Sequence, residues 1–319
     1  MQHLDLIALR YFSETAHSGS IRLAADRLHV TPSAVSRRIA KLEHQLETTL
    51  FERRPSGVAL TPSGEILAKE IGVIYSHLRQ VQGMIGDLEG LRRGEVVVYC
   101  MEGAVDWWMS SVVAGYRAEY PQISFQLIVA SADQASEALI DEKCDIAVMF
   151  KAPSKTEIEI IESRTEPVVA LVSPAHALSG RKSISFEELL EHDLVLPDTS
   201  FGVRQLFDRQ ARKIKTEARC MVTTNSIAMT RSMVRTANLA TVLPYLSARH
   251  DCQLGLLQAL PITRCPGFHA EVNLCVRKGR ALPTAARAMQ AALQRSFASW
   301  SQDSAHPLSA KQESRRVLT

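Results

Sequence analysis

Between Ile21 and Arg54 the chain carries hydroxyl and guanidinium groups whose types and spacing suit contact with a polyanion. Ser33, Ser36 and Arg37 share one short stretch. A hydroxyl can donate to or accept from several base edges, and an arginine fork can bond guanine O6 and N7 together, which discriminates by ~1–3 kcal/mol against the wrong base. Arg22, Arg38, Lys41, Arg53 and Arg54 lie at the flanks of that stretch, where cations neutralise phosphates rather than read bases. Residues 1–61 hold eight Lys or Arg against six Asp or Glu. The excess is small, so its clustering is what points to a nucleic-acid duplex.

Such groups work only if held on one exposed face. Leu6, Leu9, Phe12 and Ala16 recur at helical spacing and predict a helix over residues 4–17, stopped at Ser18-Gly19. Ser20 then caps a second helix, residues 21–28, whose Ala24 and Ala25 let another helix approach closely. Thr31 followed by Pro32 starts a third, because a hydroxyl caps free amides and proline at the first helical position loses no hydrogen bond. Val35, Ile39, Leu42 and Leu46 give this helix its buried stripe, which leaves Ser33, Ser36, Arg37, Arg38 and Lys41 outward. Two helices joined by a short turn, the second polar and capped, are helix-turn-helix geometry; its second helix enters the major groove. Residues 51–60, with Pro55 and Gly57 at a turn, predict a two-stranded wing.

A further helix begins at Thr61-Pro62-Ser63. Leu67, Ile71, Ile74, Leu78, Val81, Ile85 and Leu88 recur in it at alternating four- and three-residue steps, a heptad seam. One helix cannot bury such a seam alone, and pairing two copies is the simplest solution; packing on the chain's own C-terminal region is the other. Gly83, Gly86, Gly90 and Gly94 weaken the helix toward its end and mark a hinge.

From Glu95 the pattern becomes short β-rich runs alternating with helical stretches: residues 96–101, 124–129, 145–150, 168–172, 194–196, 219–223, 241–243 and 271–276. This predicts parallel sheets covered by helices, in two small α/β lobes. With 319 residues and 46% hydrophobic content, each of two or three domains buries a core without metal or disulfides. The six cysteines are widely spread, without a C-x-x-C pair, and read as reduced, buried thiols. No apolar run approaches the ~20 residues that cross a bilayer, and no basic head with an apolar stretch opens the chain, so a cytoplasmic protein without membrane contact is expected. The motifs G-x-S-x-G, H-E-x-x-H, G-x-x-x-x-G-K-S and G-x-G-x-x-G are absent, which argues against an enzyme. A metal or cofactor is not expected.

Over residues 4–67 the string Leu6, Leu9, Phe12, Ser18-Gly19-Ser20, Leu23-Ala24-Ala25, Leu28, Thr31-Pro32-Ser33-Ala34-Val35-Ser36-Arg37-Arg38-Ile39, Leu42-Glu43, Leu50-Phe51, Arg53, Leu60-Thr61 and Gly64 closely resembles the LysR-type transcriptional regulators. The likeness continues more loosely through Tyr120-Pro121, Asp145-Ile146-Ala147 and Leu243-Pro244 to about residue 295. Three positions in two places where the family carries glycine differ: Glu47 follows Leu46, and Ala237 and Leu239 precede Leu243-Pro244.

The resemblance implies an α/β fold with an N-terminal all-α winged helix-turn-helix domain, a long linker helix, and a two-lobed periplasmic-binding-protein-like effector domain. The expected divisions are a DNA-binding domain at 1–62, a dimerisation helix at 63–92, the effector domain at 93–302 and a tail at 303–319. It implies a homodimer or dimer of dimers on double-stranded DNA. Thr31, Pro32, Ser33, Ser36 and Arg37, with Ser20 ahead of them, would face that DNA, and Arg53 would hold the wing on the backbone.

A small-molecule effector would sit between the lobes, where strand ends and helix N-termini converge. Glu102, Gly103, Ala104, Ser131, Phe150, Pro197, Asp198, Thr199, Thr224 and Asn225 fall there. Glu102 and Asp198 would repel an acid, which favours a neutral or amine-bearing effector. The alternative reading is a two-lobed small-molecule-binding protein or enzyme whose N-terminal helices serve protein contact.

Overall fold

A computed structural model describes residues 5–55, 57–88 and 94–299. The chain divides into two compact units, one running to Val81 and the other from Gln82 onward, the turn Asp141–Lys143 excepted.

In the first unit, α1 (Leu6–Ser18), α2 (Ile21–Leu28) and α3 (Pro32–Leu46) start on the side-chain caps Asp5, Ser20 and Thr31. Each ends on a left-handed residue, Gly19, His29 and Glu47 respectively. Ala24 and Ala25 are fully buried, and so is Val35 beneath them. Helix-helix contact at that closeness requires small side chains. Phe12, Leu42 and Leu50 form the second half of the core, with the Phe12 and Phe51 rings 5.0 Å apart.

The wing is β1 (Phe51–Arg54) against β2 (Gly57–Leu60), antiparallel from Phe51–Leu60 to Arg54–Gly57. It docks on the α1–α2 turn where Val58 N donates to Gly19 O at 2.9 Å. A Cβ on Gly57 would lie 2.3 Å from that same oxygen, and Gly57 has φ +136°, so only glycine fits. Glu43 of α3 fixes the wing's other end, accepting from Leu50 N and Phe51 N at 2.8 and 3.3 Å.

Helix α4 (Pro62–Leu88) begins on Thr61, whose hydroxyl accepts from Gly64 N at 3.0 Å. The expected seam divides along its length. Ile71 is buried in the chain's own core beside Leu42 and Phe12, with Leu67 packed against it, because α4 closes the open side of α1 and α3. Leu78, Val81 and Ile85 stay 37%, 51% and 53% exposed, an apolar stripe open to solvent, and Ile74 is half-buried. The Leu88 side chain, Gly90 and residues 303–319 lie outside the described residues.

The second unit has two lobes strung on two long strands. In lobe 1, β3 (Gly94–Cys100) pairs in parallel with β4 (Ile123–Val129) and β5 (Ile146–Phe150). The turn Glu102–Met109 and α5 (Ser110–Glu119) join β3 to β4, and α6 (Ala132–Ile140) precedes β5. α11 (Thr284–Ser299) returns to lobe 1, where Trp108 and Phe297 meet edge to face at 4.8 Å.

Crossing between the lobes are β6 (Ile158–Val172) and β12 (His269–Arg277), antiparallel from Ile158–Arg277 to Pro167–His269. Past Pro167, β6 pairs instead with β10 (Thr241–Pro244) and β11 (Gln258–Thr263) of lobe 2. Lobe 2 adds β7 (Ile184–Ser185), α7 (Phe186–Leu189), β8 (Leu194–Pro197), α8 (Gly202–Ile214), β9 (Cys220–Thr224), α9 (Ile227–Thr236) and α10 (Arg249–Gln253).

The expectation of parallel sheets holds only in part. β3–β4, β3–β5, β8–β9 and β7–β11 are parallel, but every pairing of β6, and that of β12 with β5, is antiparallel. Parallel neighbours need a crossover helix; the strands that return between lobes need none.

Candidate functional site

On α3, Ser33, Arg37 and Lys41 are exposed and Ser36 half-exposed, while Val35, Ile39 and Leu42 point inward. Thr31 accepts from Ala34 N at 3.3 Å, and its hydroxyl lies 3.0 Å from Ser33 Oγ. Pro32 is exposed at the helix start and Ser20 caps α2, accepting from Leu23 N at 3.4 Å.

The cations on this unit divide by what holds them. Arg22, Arg37, Lys41 and Arg53 are exposed and make no ion pair among the described residues. Arg38 differs from the sequence expectation: its guanidinium pairs with Asp5, the cap of α1, and so braces α3 against α1. Arg54 sits 3.5 Å from Glu52 on the wing, an exposed pair of little energetic weight. Glu47, in the position where glycine is usual, ends α3 by placing its own N–H on His44 O and that of Thr48 on Glu43 O. A non-glycine residue in this left-handed position costs on the order of 1 kcal/mol.

A cavity of about 560 Å³ opens between the lobes. Of the residues expected there, Glu102, Gly103, Ser131, Phe150 and Asn225 line it. Ala104, Pro197, Asp198, Thr199 and Thr224 do not. Ala104 is fully buried in the lobe 1 core, and Pro197 is buried at the end of β8.

The acids do not supply the charge the sequence suggests. Glu102 Oε1 accepts from Ser226 Oγ at 3.1 Å and Ala228 N at 3.0 Å, so its charge is placed on the N-terminus of α9. Asp198, outside the cavity, takes Ser200 Oγ and N at 2.5 and 2.9 Å, bonds that hold its carboxyl below the ordinary range.

Sequence reasoning missed Lys151, Gln205, Arg209, His269 and Glu271, all on the cavity wall. Two signals were available: Lys151 directly follows Phe150 at a strand end, and Gly202, Gln205, Leu206 and Arg209 share one face of α8. Arg209 is exposed toward solvent and without an ion pair among the described residues. Glu271 accepts from Asn273 Nδ2 at 3.0 Å and Ser163 Oγ at 3.1 Å, and these bonds lower its pKa with help from Lys151 and His269.

Two helix N-termini also reach the cavity. α6 begins at Ala132 after Ser131, whose hydroxyl accepts from Gln134 N at 3.3 Å. α8 begins at Gly202 without a side-chain cap from Phe201. The first amides of a helix find no partner within it, and they favour negative charge. Gly202 is required sterically, since a Cβ there would lie 2.3 Å from the Phe150 ring of the opposite lobe.

Among the described residues no cluster of three or more His, Cys, Asp or Glu could hold a metal, and no helix is long and apolar enough to span a membrane. The expectation of buried thiols holds for Cys100, Cys144 and Cys275, whereas Cys252 and Cys265 are half-buried and Cys220, at the start of β9, is exposed; burial pushes the thiols of Cys100 and Cys265 up to about 11 and those of Cys252 and Cys275 up to about 12.

Comparison with known proteins places both units. Residues 6–65 match the family model described as the bacterial regulatory helix-turn-helix protein of the lysR family, and residues 89–298 match the LysR substrate binding domain. The RuBisCO operon transcriptional regulator of Allochromatium vinosum is 28% identical over 207 residues, 65% of this chain and 68% of that protein. The HTH-type transcriptional activator CmpR of Synechocystis sp. is 28% identical over 204 residues, 64% of this chain and 67% of that one. In fold, the chain is similar to full-length CbnR complexed with its target DNA, with a TM-score of 0.67 and 18% identity, covering 92% of this chain and 100% of that one.

Proposed function

Because this chain belongs to the LysR family of transcriptional regulators, we propose that it binds duplex DNA through α3 and the wing in the cytoplasm, as a non-enzymatic regulator controlled from the cavity. Ser33, Ser36 and Arg37 read base edges, with Thr31 and Pro32 setting the depth of the helix and Ser20 at the head of α2 beside it. Arg22, Lys41, Arg53 and Arg54 neutralise phosphates. The observation that carries this reading is the exposed set Arg37, Lys41 and Arg53, without an ion pair among the described residues, on α3 and the wing, opposite a face buried by Val35, Ile39 and Leu42. Two copies joined along the exposed stripe of α4 would present two such faces to one inverted repeat.

The cavity would take a small anion. The earlier expectation of a neutral or amine-bearing ligand rested on Glu102 and Asp198, and the first is committed to α9 while the second lies outside. Lys151, Arg209 and the starts of α6 and α8 supply positive charge on its wall, against the carboxylates of Asp133 and Glu271, the second already held by Asn273 and Ser163.

Salt titration of binding to a random duplex tests the DNA reading. Contact through several phosphates predicts log K falling linearly with log salt, with a slope near −0.9 for each phosphate neutralised. Binding that is indifferent to salt would favour the rival reading, in which the N-terminal helices serve protein contact.

A further inference from the structure

One stretch of lobe 1 grips lobe 2 on the wall of the cavity itself. Glu102 completes the cap of α9: Ser226 Oγ takes Met229 N at 3.2 Å, and Glu102 takes Ala228 N together with the Ser226 hydroxyl. One turn further along α9, Arg231 pairs with Asp106 of the same lobe 1 stretch. Arg231 and Arg235 both reach Asp251, at 3.2 and 3.0 Å. The Arg249 guanidinium lies 3.9 Å over the Trp107 ring. Gly103 presses on the turn after β10, where a Cβ would lie 2.1 Å from Ser247 Oγ.

We propose that this Glu102–Trp107 clamp is the coupling element of the protein, through which occupancy of the cavity resets the lobes and thereby the DNA-bound arrangement. The inference rests on the regulator reading above and adds the device that transmits it. Two features support it. First, Glu102, Gly103, Asn225, Ile227 and Ser247 belong to the clamp or its footing and also line the cavity, so the clamp is part of the wall a ligand faces. Ser226 Oγ and Ala228 N, the donors that hold Glu102 at the start of α9, are also groups a negatively charged ligand would take, so such a ligand competes with Glu102 for them. The ligand therefore disfavours the clamped arrangement relative to any other, which is the differential interaction that a population shift needs.

Second, the clamp is incompletely satisfied. Arg231 Nε is buried without a hydrogen bond, and Asp251 Oδ2, though near a guanidinium, receives none of good geometry. A network with unmet donors and acceptors has something to gain from a second arrangement. Glu102 is a positioning residue in this scheme, acting on DNA only through α9.

The test uses the full chain and a duplex drawn from a randomised pool by the wild-type protein. Coupling is reciprocal, so binding that duplex changes amide exchange at Ala228 and Met229, far in sequence from the DNA-reading helix, by about tenfold. Asp106→Asn and Arg231→Gln, neither on the cavity wall, alter the spacing of protected positions on the duplex without any ligand, while affinity for one isolated half-site stays within about twofold. Asp106→Glu keeps the ion pair and restores the wild-type spacing. Unchanged exchange on DNA binding, together with wild-type footprints for both variants, would overturn the clamp while leaving the regulator reading intact. Failure of the wild-type chain to draw any sequence from the pool would overturn both.

Discussion

Arginine appears here in two physical situations, held by a carboxylate or left to solvent, and the second predicts consequences that differ with its place. Arg38 is held by Asp5 and Arg280 by Asp145, the latter pair buried at 2.8 Å; both are structural. Arg37 and Arg53 are exposed and unpaired among the described residues, one on the reading helix and one on the wing. Arg37→Ala should relax base preference at one operator position and cost ~1–3 kcal/mol there, whereas Arg53→Ala should weaken every sequence alike. Binding measured against a panel of single-base operator variants separates the two; identical profiles would contradict the assignment.

Glu166 makes a second residue-scale prediction. It is buried where β6 crosses between lobes, and burial pushes its pKa up to about 7 although Leu246 N donates to it at 2.7 Å and Arg249 lies near. A carboxyl whose folded pKa exceeds its unfolded value of 4.5 binds its proton more tightly in the native state. Stability therefore declines as pH rises from about 4.5 through about 7, by on the order of 3 kcal/mol, and levels off above. Glu166→Gln, which still accepts from Leu246 N, should flatten that decline in urea titrations across this range. An undiminished decline in the variant would place its source elsewhere.

At the scale of elements, the caps and breaks of the first unit were legible in the sequence because they are local chemistry. Ser20, Thr31-Pro32, Gly19 and Gly57 mark their elements within a residue or so. The short strands 194–197 and 241–244 were legible for the same reason. The crossing strand β6 was read only in its last third, since Ile158–Thr165 mixes exposed Glu159, Ile160, Ser163 and Thr165 with partly buried residues in no strict alternation, while Val168–Val172 is wholly buried.

Tertiary packing also decided what periodicity alone could not. The seven-residue seam of α4 is continuous in sequence, yet Leu67 and Ile71 turn onto the chain's own core. Charge in the cavity was misread because Glu102 is answered by α9, more than a hundred residues away. The exposed stripe Leu78, Val81 and Ile85 is the surface we propose for a second copy. Val81→Asp would bury a carboxylate in that contact, at a cost of several kcal/mol, and should shift sedimentation toward the single chain; an unchanged assembly would remove the stripe from the interface.

For the whole molecule, the account requires that the two units do different work: one recognises DNA through a rigid capped helix, the other holds a ligand between lobes that can be reset. Family membership fixes the first half of that statement as a class of function, and the cavity with its clamp supplies the second as a mechanism. Association through α4 further requires that the recognised sequence carry twofold symmetry.

Selection from a randomised duplex pool by the full-length chain bears on this claim most directly. The account predicts convergence on an inverted repeat whose half-sites lie one or more helical turns apart, ~34–36 Å per turn, with Arg37→Ala degrading the preference within each half. A pool that stays random at low ionic strength, or converges on a sequence without symmetry that Arg37→Ala reads equally well, would contradict it.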